Sequence, residues 1–141
     1  MIHLKLVTLS GTKFDDDIYE VIVPTLDGQI AVLTNHMPLI SAVNNGIISI
    51  RKNPKDSDTI MQHFATHGGV IEVADNNIRI IVDEADTGDE ISEADAKKAY
   101  DLATKMKNEA KDQMSLDHAQ EMIDRSSVRI QVAQLRRHRR S

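Results

Sequence analysis

Cysteine and tryptophan are absent from this 141-residue chain, and aromatic residues make up only 3% of it. Without cysteine there is no disulfide framework, no thiolate ligand for a metal and no cysteine nucleophile. Because aromatic rings are so scarce, the core must be built from Ile, Val, Leu, Ala and Met.

Long hydrophobic runs are also missing. The longest uninterrupted apolar runs are about four residues, whereas a helix needs about 20 to span a bilayer. The opening residues, MIHLKLVTL, have no basic region followed by a long apolar segment, so we expect no signal peptide. If the protein works at a membrane, we expect another protein to hold it there.

The motifs of common catalytic sites do not occur. There is no glycine-rich phosphate loop, no GxSxG and no HExxH. His63 and His67 would share a strand face but lack a third ligand, which favours surface histidines over a metal site. Asp15–Asp17 lacks the glycine and distal glutamate of a calcium loop and predicts a solvated acidic loop. We therefore predict no catalytic residue and no bound metal.

Charge is distributed unevenly along the chain. Residues 1–90 carry 6 Lys/Arg against 14 Asp/Glu, whereas residues 91–141 carry 11 against 8. This asymmetry indicates two regions that face different partners. The basic end, Arg136-Arg137-His138-Arg139-Arg140, exceeds what a helix dipole requires and favours an acidic partner. Nucleic acid is disfavoured, because no aromatic residues interleave and the rest of the chain is acidic.

Short strands dominate the first 83 residues. Period-two alternation and Gly/Asn/Asp turns predict eight or nine of them, which is typical of an all-β sandwich or flattened barrel. A parallel α/β sheet is excluded, because no helical crossover fits between the strands. Gly68-Gly69 is predicted to turn the chain, and Asp75–Asn77 to form a hairpin. The clearest predicted strands are Ile2–Leu9, Ile18–Val23, Gln29–Leu33, Ile47–Arg51, Thr59–Thr66, Val70–Val73 and Ile78–Val82.

After the acidic connector Asp83–Glu90, the spacing of apolar residues changes from the period of two typical of strands to the spacing typical of helices. Ser92 begins a capping box for a helix that runs to about Lys111, and Asp117 is predicted to cap a second helix that ends near Arg137. A short loop between two helices predicts an antiparallel hairpin. Its predicted contact faces are mostly small residues, so it buries little apolar area and should detach easily. A second apolar stripe needs the β domain or another chain to cover it; it comprises Val128, Val132 and Leu135.

The stretch Val23–Gly46 is where a functional site is most plausible. It contains a tight turn at Leu26-Asp27-Gly28 and an exposed loop with one histidine, His36. A general-base histidine needs a partner acid or nucleophile, and none is adjacent. The stretch is therefore predicted to be a docking surface rather than a catalytic site.

Taken together, these segments resemble the epsilon subunit of the bacterial F-type ATP synthase, whose mitochondrial counterpart is called delta. The resemblance covers nearly the whole chain and lies in an ordered set of motifs. These are Val23-Pro24, Gly28, Leu33, His36, Pro38-Leu39, Gly46–Ile50, His67–Val73, Val82–Ala85 and Arg129–Ala133.

The resemblance implies a non-catalytic central-stalk subunit of the rotor. Its β domain would bind the gamma subunit and rest on the ring of c subunits. The hairpin would regulate: folded, it lies on the β domain, and extended, it enters the alpha/beta catalytic head and blocks ATP hydrolysis. The implied gamma and c-ring interface is Asp27, Gly28, Gln29, His36, Met37 and Pro38. The implied contacts with the head are Arg129, Arg136, Arg137, Arg139 and Arg140.

Some members of this family bind ATP on the folded hairpin. Their motif I-D-x-x-R-A reads here Ile91-Ser92-Glu93-Ala94-Asp95-Ala96, so both polar determinants are changed and Asp95 would repel phosphate. Arg125 and Arg129 match the arginines of the second helix and are possible vestigial ATP contacts. We expect weak or absent ATP binding and no other cofactor.

These observations predict an α+β protein with three parts. Residues 1–85 form the β sandwich, residues 86–91 an acidic connector, and residues 92–141 the helical hairpin. The implied location is the cytoplasmic face of the bacterial plasma membrane, peripheral and attached only through the complex. Two alternatives stay open: a free-standing module that recruits an acidic partner through its basic tail, and a small enzyme centred on His36.

Overall fold

A computed structural model describes the backbone of residues 1–140 and the side chains of residues 1–136. Over these residues the chain forms eight strands, a short 3₁₀ turn at Asp58–Ile60 and two helices. In chain order the elements are β1 (Ile2–Thr8), β2 (Gly11–Ile18), β3 (Glu20–Thr25), β4 (Gly28–Leu33), β5 (Leu39–Val43), β6 (Gly46–Arg51), β7 (Gln62–Ala74), β8 (Asn77–Thr87), α1 (Glu93–Glu109) and α2 (Gln113–Arg140). The predicted class, a β sandwich followed by two helices, is confirmed.

The strands wrap around a single core. Their order is β2-β1-β8-β7-β5-β3-β4, and β6 pairs with both β3 and β7. All pairs are antiparallel except β1 with β8, which are parallel. That pair joins the two ends of the β domain, so the intervening strands provide the return path that a helix provides in an α/β fold.

Alternation along the strands builds the core. In β1 the side chains of Ile2, Leu4 and Leu6 are fully buried, and Leu4 and Leu6 pair with Ile78 and Ile80 of β8. Apart from Phe64, the largest fully buried side chains are aliphatic, as the scarcity of aromatic residues predicted. This core holds the outward faces of the strands in fixed register, and those faces carry the candidate sites.

The predicted acidic loop at Asp15–Asp17 is instead part of β2. Each residue pairs with β1, and His3 of β1 reaches across to two of the carboxylates. Its Nε2 lies 2.5 Å from Asp15 Oδ1 and its Nδ1 lies 2.8 Å from Asp17 Oδ1. Asp16 faces the other way and pairs with Lys52 at 2.7 Å. Cations on neighbouring elements therefore stabilise a strand that local charge repulsion disfavours.

Gly68-Gly69 does not turn the chain, because β7 runs through both residues. A Cβ at Gly69 would collide with the Ile81 carbonyl oxygen and lie 2.8 Å from Val82 Cα, so glycine permits the close approach of β8. The turn comes later, at Asp75 and Asn76, whose φ angles of 52° and 59° match a type I′ hairpin. The β7–β8 hairpin predicted there is confirmed.

The acidic run after residue 82 is mostly strand as well. β8 extends to Thr87, so the predicted connector is β structure at its first two residues. The side chains of Glu84 and Asp86 pair with cations from other elements, which offsets the repulsion between neighbouring carboxylates in this strand.

The helices begin at side-chain caps. Ser92 Oγ accepts the Asp95 N–H at 3.2 Å, as predicted. The second helix begins four residues before the predicted cap, because Asp112 Oδ1 accepts the Ser115 N–H at 2.7 Å. That hydrogen bond holds the pKa of the Asp112 carboxyl below its usual value. Asp117 instead accepts a hydrogen bond from Gln113. At 28 residues, α2 is about 42 Å long.

Small residues bring α1 and α2 together, and α2 packs on the sheet. Ala103 and Ala119 are fully buried, whereas Leu102, predicted on the contact face, is 55% exposed. Val132 and Ala133 pack with Ala65 of β7, and Val128 joins the same cluster. The second apolar stripe of α2 is therefore covered by the β domain, one of the two alternatives predicted.

The His3 cluster makes the stability of β2 depend on pH. Hydrogen bonds to Asp17 and then Asp15 raise the pKa of His3 above its usual 6.5. This stabilisation is present in full below pH 6.5 and is lost as pH rises through the raised pKa. His3→Gln should therefore reduce the free energy of unfolding more at pH 5.5 than at pH 9, measured by urea denaturation. His118→Gln, at an exposed position of α2, is the control. A His3→Gln effect that does not change with pH would contradict this account.

Candidate functional site: two docking surfaces and a helix latch

The β3–β4 turn is built by Thr25. Its hydroxyl donates to the Gly28 carbonyl at 2.6 Å and accepts the Asp27 N–H at 3.2 Å. Gly28 has a φ of 110°, which favours glycine. The turn leaves the Leu26 side chain 70% exposed at its tip. We call Leu26–Gln29 the turn surface; among the predicted interface residues it contains Asp27, Gly28 and Gln29.

The loop after β4 is tied to the β7–β8 turn. Asn35 donates its N–H to Asn76 Oδ1 at 2.6 Å, and Asn76 Nδ2 donates to Asn35 Oδ1 at 3.1 Å. His36 Nδ1 lies 2.7 Å from the Met37 carbonyl oxygen and donates to it, so this imidazole shapes the loop. We call residues 34–38 the loop surface; it contains the predicted residues His36, Met37 and Pro38.

The structure separates these two groups of predicted residues. They lie at opposite ends of β4, which spans six residues and so about 17 Å. The six residues of the implied interface therefore lie on two separate surfaces, and one small partner contact cannot cover both.

An apolar stripe on the outer face of the sheet was not predicted from the sequence. Val7 pairs with Ile81, Ile81 with Val70, and Val70 with Ala42, so these side chains lie in one row across β1, β8, β7 and β5. Val70 and Ile81 are each 41% exposed, and Ile40 in the adjacent row is 77% exposed. The sequence signals this stripe by an apolar residue at a strand position whose side chain faces outward. Ile81, which lies between the buried Ile80 and Val82, is an example. We call Val7, Ala42, Val70 and Ile81 the outer stripe.

Ion pairs fasten α2 to the end of β8. Arg129 Nη1 lies 2.6 Å from Asp86 Oδ2 and 3.1 Å from Glu84 Oε1. Arg125 pairs with Glu84. About two helical turns beyond Arg129, Arg136 pairs with Asp89. We call the residues of these pairs the latch: Glu84, Asp86, Asp89, Arg125, Arg129 and Arg136.

Sequence spacing explains why these groups meet. Arg125 and Arg129 are four residues apart and share one face of the helix, whereas Glu84 and Asp86 are two apart and share one face of the strand. The Arg129 and Asp86 side chains are only 26% and 22% exposed, so this pair is partly shielded from water. Sequence analysis identified the arginines but treated their carboxylate partners as a linker.

A cavity of about 450 Å³ opens between the latch and the two helices. Arg125 and Arg129, the possible vestigial ATP contacts, are brought together on its wall, with Asp95 and Glu90 also lining it. Lys13 of β2 lies 2.7 Å from Glu90, and this contact holds the pKa of the Glu90 carboxyl below its usual value. Carboxylates of the chain therefore already surround the two arginines.

The remaining predicted residues form no common site or lie beyond the description, and His67 Nδ1 is buried without a hydrogen-bond partner among the described residues. His63 Nδ1 is 2.8 Å from Ser49 Oγ, and His67 Nε2 is 3.3 Å from Glu121. Among the side chains that the structure describes, no three His, Asp or Glu residues gather as a metal site. Neither helix, over its described residues, is long and apolar enough to cross a membrane. The side chains of Arg137, Arg139 and Arg140 lie outside the described residues.

Comparison with known proteins places this architecture in a family. The family model for the ATP synthase delta/epsilon chain, beta-sandwich domain, matches residues 1–88. The ATP synthase epsilon chain of Chloroflexus aggregans is 33% identical over 139 residues, covering 99% of this chain and 96% of that protein. The epsilon chain of Herpetosiphon aurantiacus is 30% identical over 138 residues, covering 98% of each.

Solved structures share the fold at low identity. A chain of the Euglena gracilis mitochondrial ATP synthase, in a structure of OSCP, F1 and c-ring, has a TM-score of 0.80 at 18% identity. The match covers 94% of this chain and 81% of that one. A chain of the Tetrahymena thermophila central stalk and c-ring has a TM-score of 0.59 at 16% identity, over 94% of this chain and 92% of that one. The family model and the full-length relatives together confirm the resemblance drawn from the motifs: the chain belongs to the epsilon subunit family of the F-type ATP synthase.

Proposed function

We propose that the chain is a non-catalytic rotor subunit whose β domain docks on the gamma subunit and the c-ring, while its hairpin restrains ATP hydrolysis by the alpha/beta head. Relatives in the Euglena and Tetrahymena structures belong to F1–c-ring and central-stalk assemblies, which supports this place in the complex. The observation that carries the regulatory part is the latch, a set of ion pairs that joins a long basic helix to the β domain beside an apolar contact. From the family alone we infer a peripheral location at the cytoplasmic face of a bacterial plasma membrane.

The two partners take different surfaces in this proposal. The outer stripe is a flat apolar row across four strands, which suits an extended partner such as the gamma subunit. The turn surface lies away from the loop surface and carries only one charge, Asp27, which suits a short contact with the polar edge of the c-ring. The loop surface is tied to the β7–β8 turn and extends the gamma contact in this proposal.

The outer stripe is tested by placing a charge in it. Ile81→Glu should weaken association with purified gamma subunit by about 100-fold, because an unpaired carboxylate would be buried at the interface. Asn108→Glu, on the exposed side of α1, adds the same charge elsewhere and should bind normally. Isothermal titration calorimetry of each variant gives the comparison. Equal affinities for the two variants would remove the outer stripe from the interface.

Restraint of hydrolysis follows from the length and charge of α2. A helix of about 42 Å that leaves the β domain could carry Arg129, Arg136 and the arginines beyond it to an acidic surface of the head. One modest apolar cluster and the latch oppose this release, so the docked and released states should differ by a few kcal/mol.

Deleting residues 91–141 tests the proposed roles of the β domain and of the hairpin in one experiment. The β domain should stay folded, because its main core lies within residues 1–85, and it should still join the complex. ATP hydrolysis by the assembled complex should rise, measured with a coupled assay under conditions in which the intact chain inhibits. If the truncated chain fails to assemble, or if hydrolysis stays the same, the modular account is wrong.

Regulatory ATP binding is expected to be weak or absent. Arg125 and Arg129 already contact Glu84 and Asp86, and Asp95 lines the same cavity, so phosphate would meet carboxylates there. Calorimetry of the isolated chain with Mg-ATP should detect no binding in the micromolar range. A micromolar dissociation constant would contradict this expectation.

A further inference from the structure

Strand β8 presents its carboxylates to α2 as a rigid array. Glu84 and Asp86 of β8 pair with His67 and Ala65 of β7, so both carboxylates start from fixed backbone positions. Lys13 of β2 lies 3.9 Å from Asp86 and 2.7 Å from Glu90, which offsets part of the repulsion within the array. The array therefore exists before α2 docks and is complementary in charge and spacing to Arg125 and Arg129.

Each arginine of the pair is engaged by this array. Arg129 reaches both Glu84 and Asp86, and Arg125 reaches Glu84. Two guanidinium groups four residues apart on a helix would otherwise form a strong site for a polyanion. Here the oxygen atoms that they bind belong to the same chain, at an effective concentration that a dissolved anion cannot match.

We propose that Glu84 and Asp86 act as a built-in ligand of the Arg125–Arg129 pair, so that docking of the hairpin responds to ionic strength rather than to a bound anion. The inference rests on the mobility of the hairpin in the proposed function. The latch adds a charge-dependent part to the docking free energy, beside an apolar cluster between the helices and the sheet. That cluster comprises Ala65, Ile91, Ala96, Val132 and Ala133, with Ile47, Val128 and Ile130 packed against it. Its side chains are between 22% and 64% exposed, so dissolved salt screens them.

The absence of cysteine allows docking to be measured directly on the full chain. Lys55→Cys in the loop after β6 and Lys105→Cys on α1 are both at exposed positions and can carry a pair of spin labels. The distance distribution between the labels gives the ratio of docked to released hairpins. In the otherwise unchanged chain, raising NaCl from about 50 to 500 mM should lower this ratio at least about threefold. A ratio that does not change with salt would overturn the inference.

Neutralising the built-in ligand should change both the ratio and its salt response. Glu84→Gln should lower the ratio about fivefold at low salt and flatten its salt dependence, because Glu84 contacts both arginines. Asp16→Asn breaks a different exposed pair, with Lys52, and should leave both quantities unchanged. Equal effects of Glu84→Gln and Asp16→Asn would overturn the inference.

An apolar variant separates the effect of charge from general loosening of the hairpin. Val132→Ala removes methyl groups from the apolar cluster beneath α2 and changes no latch residue, so it should weaken docking without removing a charge. It should lower the ratio but keep the salt response of the unchanged chain. If its salt response disappears as in Glu84→Gln, the response does not report the ion pairs and the inference is wrong.

Inorganic triphosphate tests the idea of an internal ligand. In the unchanged chain it should act only through ionic strength, matching NaCl at the same ionic strength. In the Glu84→Gln, Asp86→Asn double variant, calorimetry should detect triphosphate binding at least about threefold tighter than in the unchanged chain, because the arginines can then bind phosphate. Equal affinities for the two chains, or a docked ratio that rises specifically with triphosphate in the unchanged chain, would overturn the inference. If the labels report a docked hairpin in all variants and at all salt concentrations, the proposed mobile hairpin fails as well. If the hairpin is released but the docked ratio depends on neither Glu84 nor salt, only the proposed role of the latch fails.

Discussion

The pairing of β7 with β8 is the constraint on which the other features depend. The type I′ turn at Asp75 and Asn76 sets its register, and Gly69 allows the two backbones to approach where any larger residue would collide. That register places Ile71, Val73, Ile78 and Ile80 in the core. It also places Val70 and Ile81 together on the outer face, and it directs Glu84 and Asp86 toward α2. The β7–β8 hairpin thus positions residues of both the outer stripe and the latch.

The two kinds of surface differ in physical character, and this difference suits their proposed roles. An apolar contact across the outer stripe would not be screened as ion pairs are, which suits the proposed lasting association with the gamma subunit. The hairpin is held by one apolar cluster and by partly exposed ion pairs, each worth about 1 kcal/mol or less. A module held in this way can be released without disturbing the β domain, because the two apolar clusters share no buried residue.

Segments with strong local signals were predicted well. The alternation of β1, the turn before Gly28, the Asp75-Asn76 hairpin and the Ser92 cap all follow from neighbouring residues. Errors occurred where a distant residue decided the outcome. Asp15–Asp17 is a strand because His3 and Lys52 neutralise it, and β8 continues to Thr87 because α2 and β2 supply cations. The start of α2 was predicted too late, because Asp112 caps the helix five residues before the predicted cap, Asp117.

The sequence by itself determined the order of strands and helices, the aliphatic core, the basic end and the family, because periodicity, caps and ordered motifs are properties of residues close in the chain. Only the tertiary structure decided which distant groups meet. It separated the turn surface from the loop surface by the length of β4, and it aligned the outer stripe across four strands. It also paired Arg125 and Arg129 with carboxylates about 40 residues away, since strand register and helix packing set distances that no local pattern encodes.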